Sequence, residues 1–447
     1  MIRNYCKVIF QNIIRNKTYS LINILGLSVG LAVCIIILQY VRFEQSYDRF
    51  HTHARQLYRV ILESTTSSGI TDRDAANYAP VADALTNDYT EVTGYVRITP
   101  EYSKVVFNHQ GTISEEPKVY YADSTFFTLF DFKLLYGDPK TALAHVGSIV
   151  LSQTAAEKYF GRMDEWKESP LNKTILMNNR ELLTVTGIMY DIPVNSHFRA
   201  NALISFTTFI KFNDPSKEWG WNDFYTYIRL APGTDYKQFE ARLPKFVIKY
   251  KGKDSKEKMI LQPLTDIHLH SNVGFELNPN GSAQVVNFLS IISMMILIIA
   301  WVNYINLATA RAGHRAKEIG VRKANGATRN ELIMQFLMES FCMNFAALLL
   351  ALAIVSAVMP MVSQLLEKPL GVSLLNDNVL LLYTLSIYVA GSLASGLYPA
   401  VILSSFKPVK IFKPSSFLAA NGNAGLRQGL VIFQFMISAA LITGTLI

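Results

Sequence analysis

Long apolar runs recur along this chain and are separated by polar segments of very different lengths. Crossing a bilayer as a helix takes about 20 apolar residues. Runs of that kind lie near residues 19–41, 286–310, 333–359, 379–405 and 428–447. The first two runs are separated by a polar block, residues 43–285, large enough for a domain of its own. The pattern predicts a multi-pass α-helical membrane protein with one large domain between transmembrane helices 1 and 2.

The polar block alternates strand-like and helix-like stretches. LYRVILES, beginning at Leu57, is typical of a strand, and ANYAPVADALTNDY predicts a helix that starts after Pro80. The segment from Val92 to Asp123 indicates further strands joined by a glycine turn. Strands interspersed with short helices predict an α+β domain. Because the block contains no cysteine, the domain must fold on its hydrophobic core without disulfides.

Basic residues are concentrated in three of the connecting segments. Residues 1–17 and 406–427 carry lysine and arginine and no acidic residue, and 311–331 is strongly basic. Such segments face the cytoplasm in membrane proteins, so the three share that side and the 43–285 domain lies outside it. The fold class is therefore a helical membrane protein with a large extracytoplasmic α+β domain. The formal net charge of +8 then reflects topology and does not indicate nucleic-acid binding.

The segment from 311 to 331 has more structure than a simple stop-transfer sequence. Ile319 and Val321 lie among charges of both signs, Gly326 allows a break, and Thr328 with Glu331 fits a capping box. A short surface helix of this kind is suited to docking a soluble partner. Alternatively, the charges only set the topology.

RAKEIGVRKANGATRNELIMQFLMES, preceded by WVNYINLATAR, closely resembles the segment after the second transmembrane helix of MacB/FtsX-type ABC transporter permeases. In that family the segment is the coupling helix, which seats in a groove of the ATPase subunit. The resemblance implies an ATPase-coupling role for Arg315, Lys317, Glu318, Ile319, Gly320, Val321, Arg322, Lys323 and Gly326.

The resemblance extends to the large domain and to the overall division of the chain. The 43–285 block is similar to the family's periplasmic core domain, which implies an inserted subdomain at roughly 116–204. The segments are an amphipathic N-terminal helix at 1–18, transmembrane helix 1 at 19–42, the core domain, a permease domain at 286–406, a linker at 407–427 and helix 5 at 428–447. That last helix resembles the start of a second permease half. We therefore expect either a truncated half of a longer permease or a naturally short form.

Small residues mark the faces on which the membrane helices are expected to pack. Gly26 and Gly30 form a GxxxG pattern in the first run, and Gly391 and Ser395 belong to a small-residue face in the fourth. Small residues four apart let helices approach closely. These positions are predicted to mediate helix packing.

Candidate catalytic chemistry is sparse. The only Gly-Lys pair, Gly252-Lys253, is followed by aspartate and is not a P-loop, so ATP is expected to bind a partner subunit and no cofactor is expected here. Asp266, His268 and His270 would share one face if TDIHLH were a strand, which suggests a metal site or, as the alternative, ordinary polar residues of a strand. We predict neither a catalytic residue nor a bound metal.

These observations predict the permease subunit of an ABC transporter in a bacterial inner membrane, with its N-terminus in the cytoplasm and its large domain in the periplasm. Its expected partners are a cytoplasmic ATPase, membrane lipid, a second permease copy or half, and a periplasmic protein, but not nucleic acid. The expected work is export of a periplasmic substrate such as a peptide or antimicrobial compound. The alternatives are a mechanotransmitter or sensor that controls a cell-envelope hydrolase, a lipoprotein-release permease, and a membrane-anchored enzyme.

Overall fold

The computed structural model describes residues 17–66, 68–166, 168–212, 214–310, 319–371, 377–405 and 424–446. The chain forms two compact units. One comprises Met1–Phe43 with Gln284–Ile447, and the other is Glu44–Ala283. The predicted amphipathic helix up to residue 16, the coupling residues Arg315, Lys317 and Glu318, and linker residues 407–423 lie outside the described part of the chain.

Thirteen strands form the framework of the Glu44–Ala283 unit. They are β1 Leu57–Thr65, β2 Thr71–Asp74, β3 Val92–Pro100, β4 Val106–His109, β5 Thr112–Glu115, β6 Val119–Ala122, β7 Leu134–Tyr136, β8 Ser148–Ser152, β9 Thr174–Met177, β10 Glu181–Met189, β11 Ala202–Ser205, β12 Tyr225–Leu230 and β13 Glu257–Pro263. Together they build one sheet in the order β13-β1-β12-β3-β6-β11-β8-β10-β9-β4-β5, with β2 on β1 and β7 on β10. Most neighbours are antiparallel, but β6–β11 and β8–β10 are parallel.

The sheet has two halves that meet where β3 pairs with β6. The first half takes its strands from both ends of the domain sequence, since β1 lies between β12 and β13. The second half contains β4 to β11. Because β4 pairs with β9, the second half begins before residue 116, the predicted start of the inserted subdomain.

Short helices cover the sheet and complete its hydrophobic cores. The helices of this unit are α2 Pro80–Asp88, α3 Phe126–Leu129, α4 Gln153–Phe160, α5 Phe206–Phe212, α6 Tyr236–Glu240, α7 Leu243–Lys251 and α8 Ile267–His270. The helix predicted to start after Pro80 is α2, which includes Pro80 as its first residue, and the predicted strand LYRVILES is β1. Apolar side chains of α2, α6 and α7 pack on β1, β12 and β13, which builds the core of the first half. The α+β domain predicted between the first two membrane helices is confirmed.

The membrane unit consists of long apolar helices: α1 Lys17–Glu44, α9 Ala283–Ala310, α10 Arg329–Leu366, α11 Asn378–Ser405 and α12 Ala424–Leu446. Among the described residues, four helices are long and apolar enough to cross a membrane, within α1, α9, α10 and α11. The apolar part described for α12, Gln428–Gly444, is shorter. The structure thus supports four of the five predicted spans by length and composition.

The TDIHLH segment does not form the predicted strand. Leu264–Asp266 is a 3-10 turn and Ile267–His270 is helical, so Asp266, His268 and His270 do not share a strand face. The alternation of polar and apolar residues was misleading because Leu264 and Ile267, three residues apart, are the positions that enter the core. No group of three metal-ligating side chains occurs among the residues that the structure describes.

Candidate functional site

The candidate site is the connector, residues 319–328, which is the described part of the segment between α9 and α10. Residues 319–324 are helical. Gly326 adopts φ +92°, where it donates to Lys323 O, and Ala327 N donates to Arg322 O. This pair of bonds ends a helix at a left-handed residue, which glycine adopts without strain.

The predicted capping box then starts the next helix. Thr328 caps α10 by accepting from Glu331 N, and the Glu331 carboxylate accepts from Thr328 N at 2.9 Å. Both bonds satisfy backbone donors that would otherwise lack a partner at the helix start. The connector is therefore a defined helix–turn–helix corner.

One face of the connector is built into the membrane unit. Ile319 is buried in a cluster with Leu332 and Phe336 of α10 and Ala400 of α11. The adjacent Gly320 is also buried. Because apolar side chains from three elements share this cluster, displacing the connector would expose all of them to solvent.

Two basic side chains strengthen this attachment. Arg322 Nη1 donates to Gln335 Oε1 of α10 at 2.5 Å, and Lys323 Nζ donates to Ser404 O of α11 at 2.6 Å. Arg329 Nε also reaches Ser404 Oγ at 3.4 Å. Hydrogen bonds to charged groups are stronger than neutral ones. Arg322 and Lys323, the two described cations of the predicted coupling set, are therefore bonded to neighbouring helices.

The opposite face of the connector is exposed. Val321 is 53% exposed, whereas Ile319 and Gly320 are buried. Ala324, Asn325, Gly326 and Thr328 are exposed as well. Together these residues form a small, mostly uncharged exposed surface on the connector.

The small residues of the membrane helices lie at close helix contacts. A Cβ on Gly30 would lie 2.7 Å from Ala300 Cβ, and one on Gly26 would lie 3.5 Å from Asn303 Nδ2, both on α9. A Cβ on Gly391 would collide with the indole of Trp301. Glycine at positions 30 and 391 lets α1 and α11 approach α9, whereas a Cβ at position 26 would make only an ordinary contact.

A buried polar cluster joins α10 to α11. Ser395 Oγ lies 2.8 Å from Ser340 Oγ and accepts from Asn344 Nδ2 at 3.1 Å. Ser340 Oγ is also 3.0 Å from Ser392 O. Polar side chains in membrane helices bond across helices in this way. The two helices are thus fastened by polar contacts as well as by the cluster around Ile319.

Sequence reasoning missed the acceptors that hold the connector. Gln335 and Ser404 are the partners of Arg322 and Lys323, and Ser404 is separated from Lys323 by 81 positions. Gln335 carries a weak signal, since a buried polar residue in an apolar helix needs a partner. Ser404 carries none, because its backbone carbonyl is the acceptor.

A second buried network in the α+β domain was also missed. Arg59 is fully buried and makes two hydrogen bonds to the Glu276 carboxylate, at 2.6 and 2.7 Å, and two to Gln262 Oε1, at 2.7 and 3.1 Å. Burial alone would raise the pKa of Glu276, but the bonds and charge of Arg59 outweigh it and hold that pKa below its ordinary value. This pair stabilises the segment that leads out of the domain.

Comparison with known proteins matches both units. The family model of the MacB-like periplasmic core domain matches residues 20–246, and that of the FtsX-like permease C-terminal region matches residues 290–409. The macrolide export ATP-binding/permease protein MacB of Neisseria meningitidis is 26% identical over 203 residues, 43% of this chain and 27% of that protein. MacB of Chlorobium luteolum is 22% identical over 352 residues, 74% of this chain and 48% of that protein.

Among solved structures, the periplasmic region of MacB from Actinobacillus actinomycetemcomitans is 15% identical, with a TM-score of 0.34, and covers 52% of this chain and 94% of its own. The chain spans between 27% and 48% of the length of the two curated relatives named above. The family assignment rests on the periplasmic core model, which matches more than half of the chain, together with the permease model. The chain belongs to the family of ABC transporter permeases that combine a MacB-like periplasmic core domain with an FtsX-like permease domain.

Proposed function

We propose that the chain is the membrane subunit through which a separate ATPase drives a change in the α+β domain. The observation that supports this proposal is that the connector has one buried face and one exposed face. Its buried face holds Ile319, Arg322 and Lys323 against α10 and α11, while Val321 stands exposed on the other. A partner docked on that exposed face would pass its motion to two membrane helices at once.

The partner that suits this surface is the ATP-binding subunit of the transporter, in the cytoplasm of a bacterial cell. The family assignment supports an ATPase partner. The N-terminus and the connector would then lie on the cytoplasmic side of the inner membrane, and the α+β domain in the periplasm. The work is export of a periplasmic substrate, and relatives named as macrolide exporters support that direction.

The docking surface is tested by purifying the tagged full chain in mild detergent and identifying bound proteins by mass spectrometry. We expect a soluble ATPase in stoichiometric amount, lost in Val321→Glu because a carboxylate would be buried against the partner. Loss of at least about tenfold is expected, since burying an unpaired carboxylate costs more than the roughly 1.4 kcal/mol that a tenfold change represents.

Two control variants isolate docking from misfolding. Val321→Thr keeps the shape and should retain most of the ATPase. Ile113→Glu changes an equally apolar residue, 64% exposed in the α+β domain, and should retain all of it. If Val321→Glu binds the ATPase as well as the unchanged chain does, the connector is not the docking surface.

The other proteins recovered would separate the kinds of work. An envelope hydrolase in constant ratio would favour control of that enzyme over export. Released lipoproteins would favour lipoprotein extraction. Absence of any ATPase from the unchanged chain would reject the coupled mechanism.

A further inference from the structure

The domain-side end of α1 carries two sets of contacts, one on each side of the boundary between the two units. Residues 40–43 are the last residues of the N-terminal part of the membrane unit, and residues 44–48 are the first residues of the domain unit. Phe43 and Glu44 are consecutive residues of α1, so a movement of the first set is passed to the second through the chain itself. We call residues 40–48 the transfer segment.

A lysine from the segment that follows α10 holds the membrane-unit half. Lys368 Nζ lies 5.1 Å from the centre of the Tyr40 ring and 5.7 Å from that of Phe43. Both distances are within the range of cation–π attraction. One lysine thus engages two aromatic rings that are three residues apart, on the same face of α1.

The backbone around Lys368 is fixed in place. Ser363 Oγ accepts from Leu370 N at 3.0 Å and donates to Leu370 O at 2.9 Å. Leu370 is itself buried in the main apolar cluster of the membrane helices. The lysine is therefore presented by a segment folded back onto α10, and it would move with that helix.

A second contact comes from the start of α11. Asp377 accepts hydrogen bonds from Val379 N and Leu380 N, at 2.9 and 3.2 Å, and so caps that helix. Its other carboxylate oxygen lies 3.3 Å from Arg42 Nε. An exposed ion pair contributes little energy alone. It does, however, add α11 to the set of helices that contact the transfer segment.

Buried polar contacts hold the domain-unit half. Glu44 Oε2 is bonded to His268 Nε2 at 2.7 Å, both side chains are buried, and the Tyr47 ring stacks on the imidazole at 3.3 Å between centres. A Cβ on Gly281 would lie 2.7 Å from His268 Nε2. Glu44, at the start of the domain unit, and Gly281, near its end, therefore both pack on His268.

The next turn of the chain is held equally firmly. Asp48, in the left-handed region at φ +56°, accepts from Ser196 Oγ and from His197 N, and its carboxylate lies 3.0 Å from His197 Nδ1. Asn278 Nδ2 donates to His197 O. Separating a buried carboxylate from such partners is costly, so these contacts resist displacement.

We propose that the transfer segment conveys the motion of α10 and α11 to the α+β domain, with Lys368 and Asp377 as the residues that move it and His268 and His197 as those that receive it. The proposal rests on the proposed function, since it needs an ATPase to move the connector. Within the membrane unit, Ile319 joins the connector to α10 and α11, and Ser340 and Ser395 join those two helices to each other. We assign these residues a positioning role.

The test uses the full chain with its ATPase in lipid nanodiscs and compares hydrogen–deuterium exchange without nucleotide and with trapped ATP. In the unchanged chain we expect ATP to alter exchange in residues 40–48 and 265–271. Lys368→Met should reduce that change by about two- to fivefold, the value of a cation–π contact, while leaving ATPase binding unchanged.

Matched variants distinguish a specific effect on the transfer segment from a nonspecific loss of structure. Lys368→Arg keeps a cation over the rings and should retain the response. Glu367→Gln removes a neighbouring exposed charge and should also retain it. His268→Gln keeps a hydrogen-bonding group beside Glu44, and should preserve the response at 40–43 while reducing it at 265–271.

The two proposals fail in different ways. If the unchanged chain binds no ATPase, both the proposed function and the role of the transfer segment are rejected. If the ATPase binds and hydrolyses ATP but Lys368→Met responds like the unchanged chain, only the role of the transfer segment is rejected. An ATP response at 265–271 that persists in full in His268→Gln would likewise reject it.

Discussion

At the residue scale, side chains from distant parts of the sequence either pair with buried charges in the α+β domain or keep a buried group uncharged. His51 is a buried group that is kept uncharged. Its ring packs among Phe50, Phe130 and Phe132, and its Nδ1 accepts from Asp131 N at 3.2 Å. A proton on this nitrogen would break that bond inside an apolar site, so the histidine is held neutral.

The environment of His51 predicts acid sensitivity of the domain. The pKa of His51 is lowered from 6.5 to about 4, mainly by burial and also by His197, against the opposing charges of Asp48 and Asp131. Because the unfolded chain binds the proton more readily, the free energy of unfolding should fall as pH drops from 6.5 to about 4, by up to about 3 kcal/mol.

Urea unfolding of the full chain in detergent, followed across that pH range, measures the effect. His51→Phe should flatten the dependence between pH 6.5 and 4, leaving only the steeper acid loss below it from carboxylates such as Glu276. His53→Phe, at an exposed position nearby, is the control and should keep the dependence. An unchanged slope in His51→Phe would contradict this assignment.

At the element scale, the membrane helices are spaced by residues without side chains. Gly391 illustrates this, because a Cβ there would collide with Trp301 of the neighbouring α9. Alanine normally favours a helix over glycine by about 0.5–1 kcal/mol. At this position the collision should outweigh that preference, since overpacking a tight contact costs about 1–3 kcal/mol.

We therefore expect Gly391→Ala to lower the thermal stability of the detergent-solubilised protein. Gly429→Ala is a matched control in α12, where a Cβ would meet nothing within 4 Å, and it should leave stability unchanged or slightly raised. Equal melting temperatures for the two variants would show that α11 and α9 are not in close contact at Gly391.

At the scale of the whole molecule, the structure places neighbouring connector residues in different environments. Arg322 is bonded to Gln335 of α10, whereas Val321 is exposed. We predict that Arg322→Met retains the ATPase in pulldown but weakens its ATP-dependent effect on the domain by about tenfold, because one charge-assisted bond is lost.

Hydrogen–deuterium exchange of the complex gives the readout, with Arg322→Lys as a variant that keeps the charge but not the geometry. Adding Gln335→Leu to Arg322→Met should cause little further loss, since both remove one contact. Release of the ATPase by Arg322→Met would instead place Arg322 in the docking surface.

Local features were predictable wherever a physical signal lies within a few residues. The strand β1, the start of α2 at Pro80, and the Thr328–Glu331 capping box follow from side-chain alternation, the fixed φ of proline and a hydroxyl–carboxylate spacing. The same reasoning gave a wrong prediction for TDIHLH. Its short alternation fits a strand, but tertiary packing of Leu264 and Ile267 decided otherwise.

The sequence by itself determined the membrane helices, the inserted domain and the family, because hydropathy and a long family-specific segment are properties of the linear chain. Only the tertiary structure decided which residues work together. Arg59 and Glu276 are 217 positions apart, and Glu44 and His268 are 224 apart. Such pairs form when the sheet brings both ends of the domain together, so no local pattern encodes them. The same holds for Arg322, whose charge is visible in the sequence but whose bond to Gln335 depends on how the corner folds.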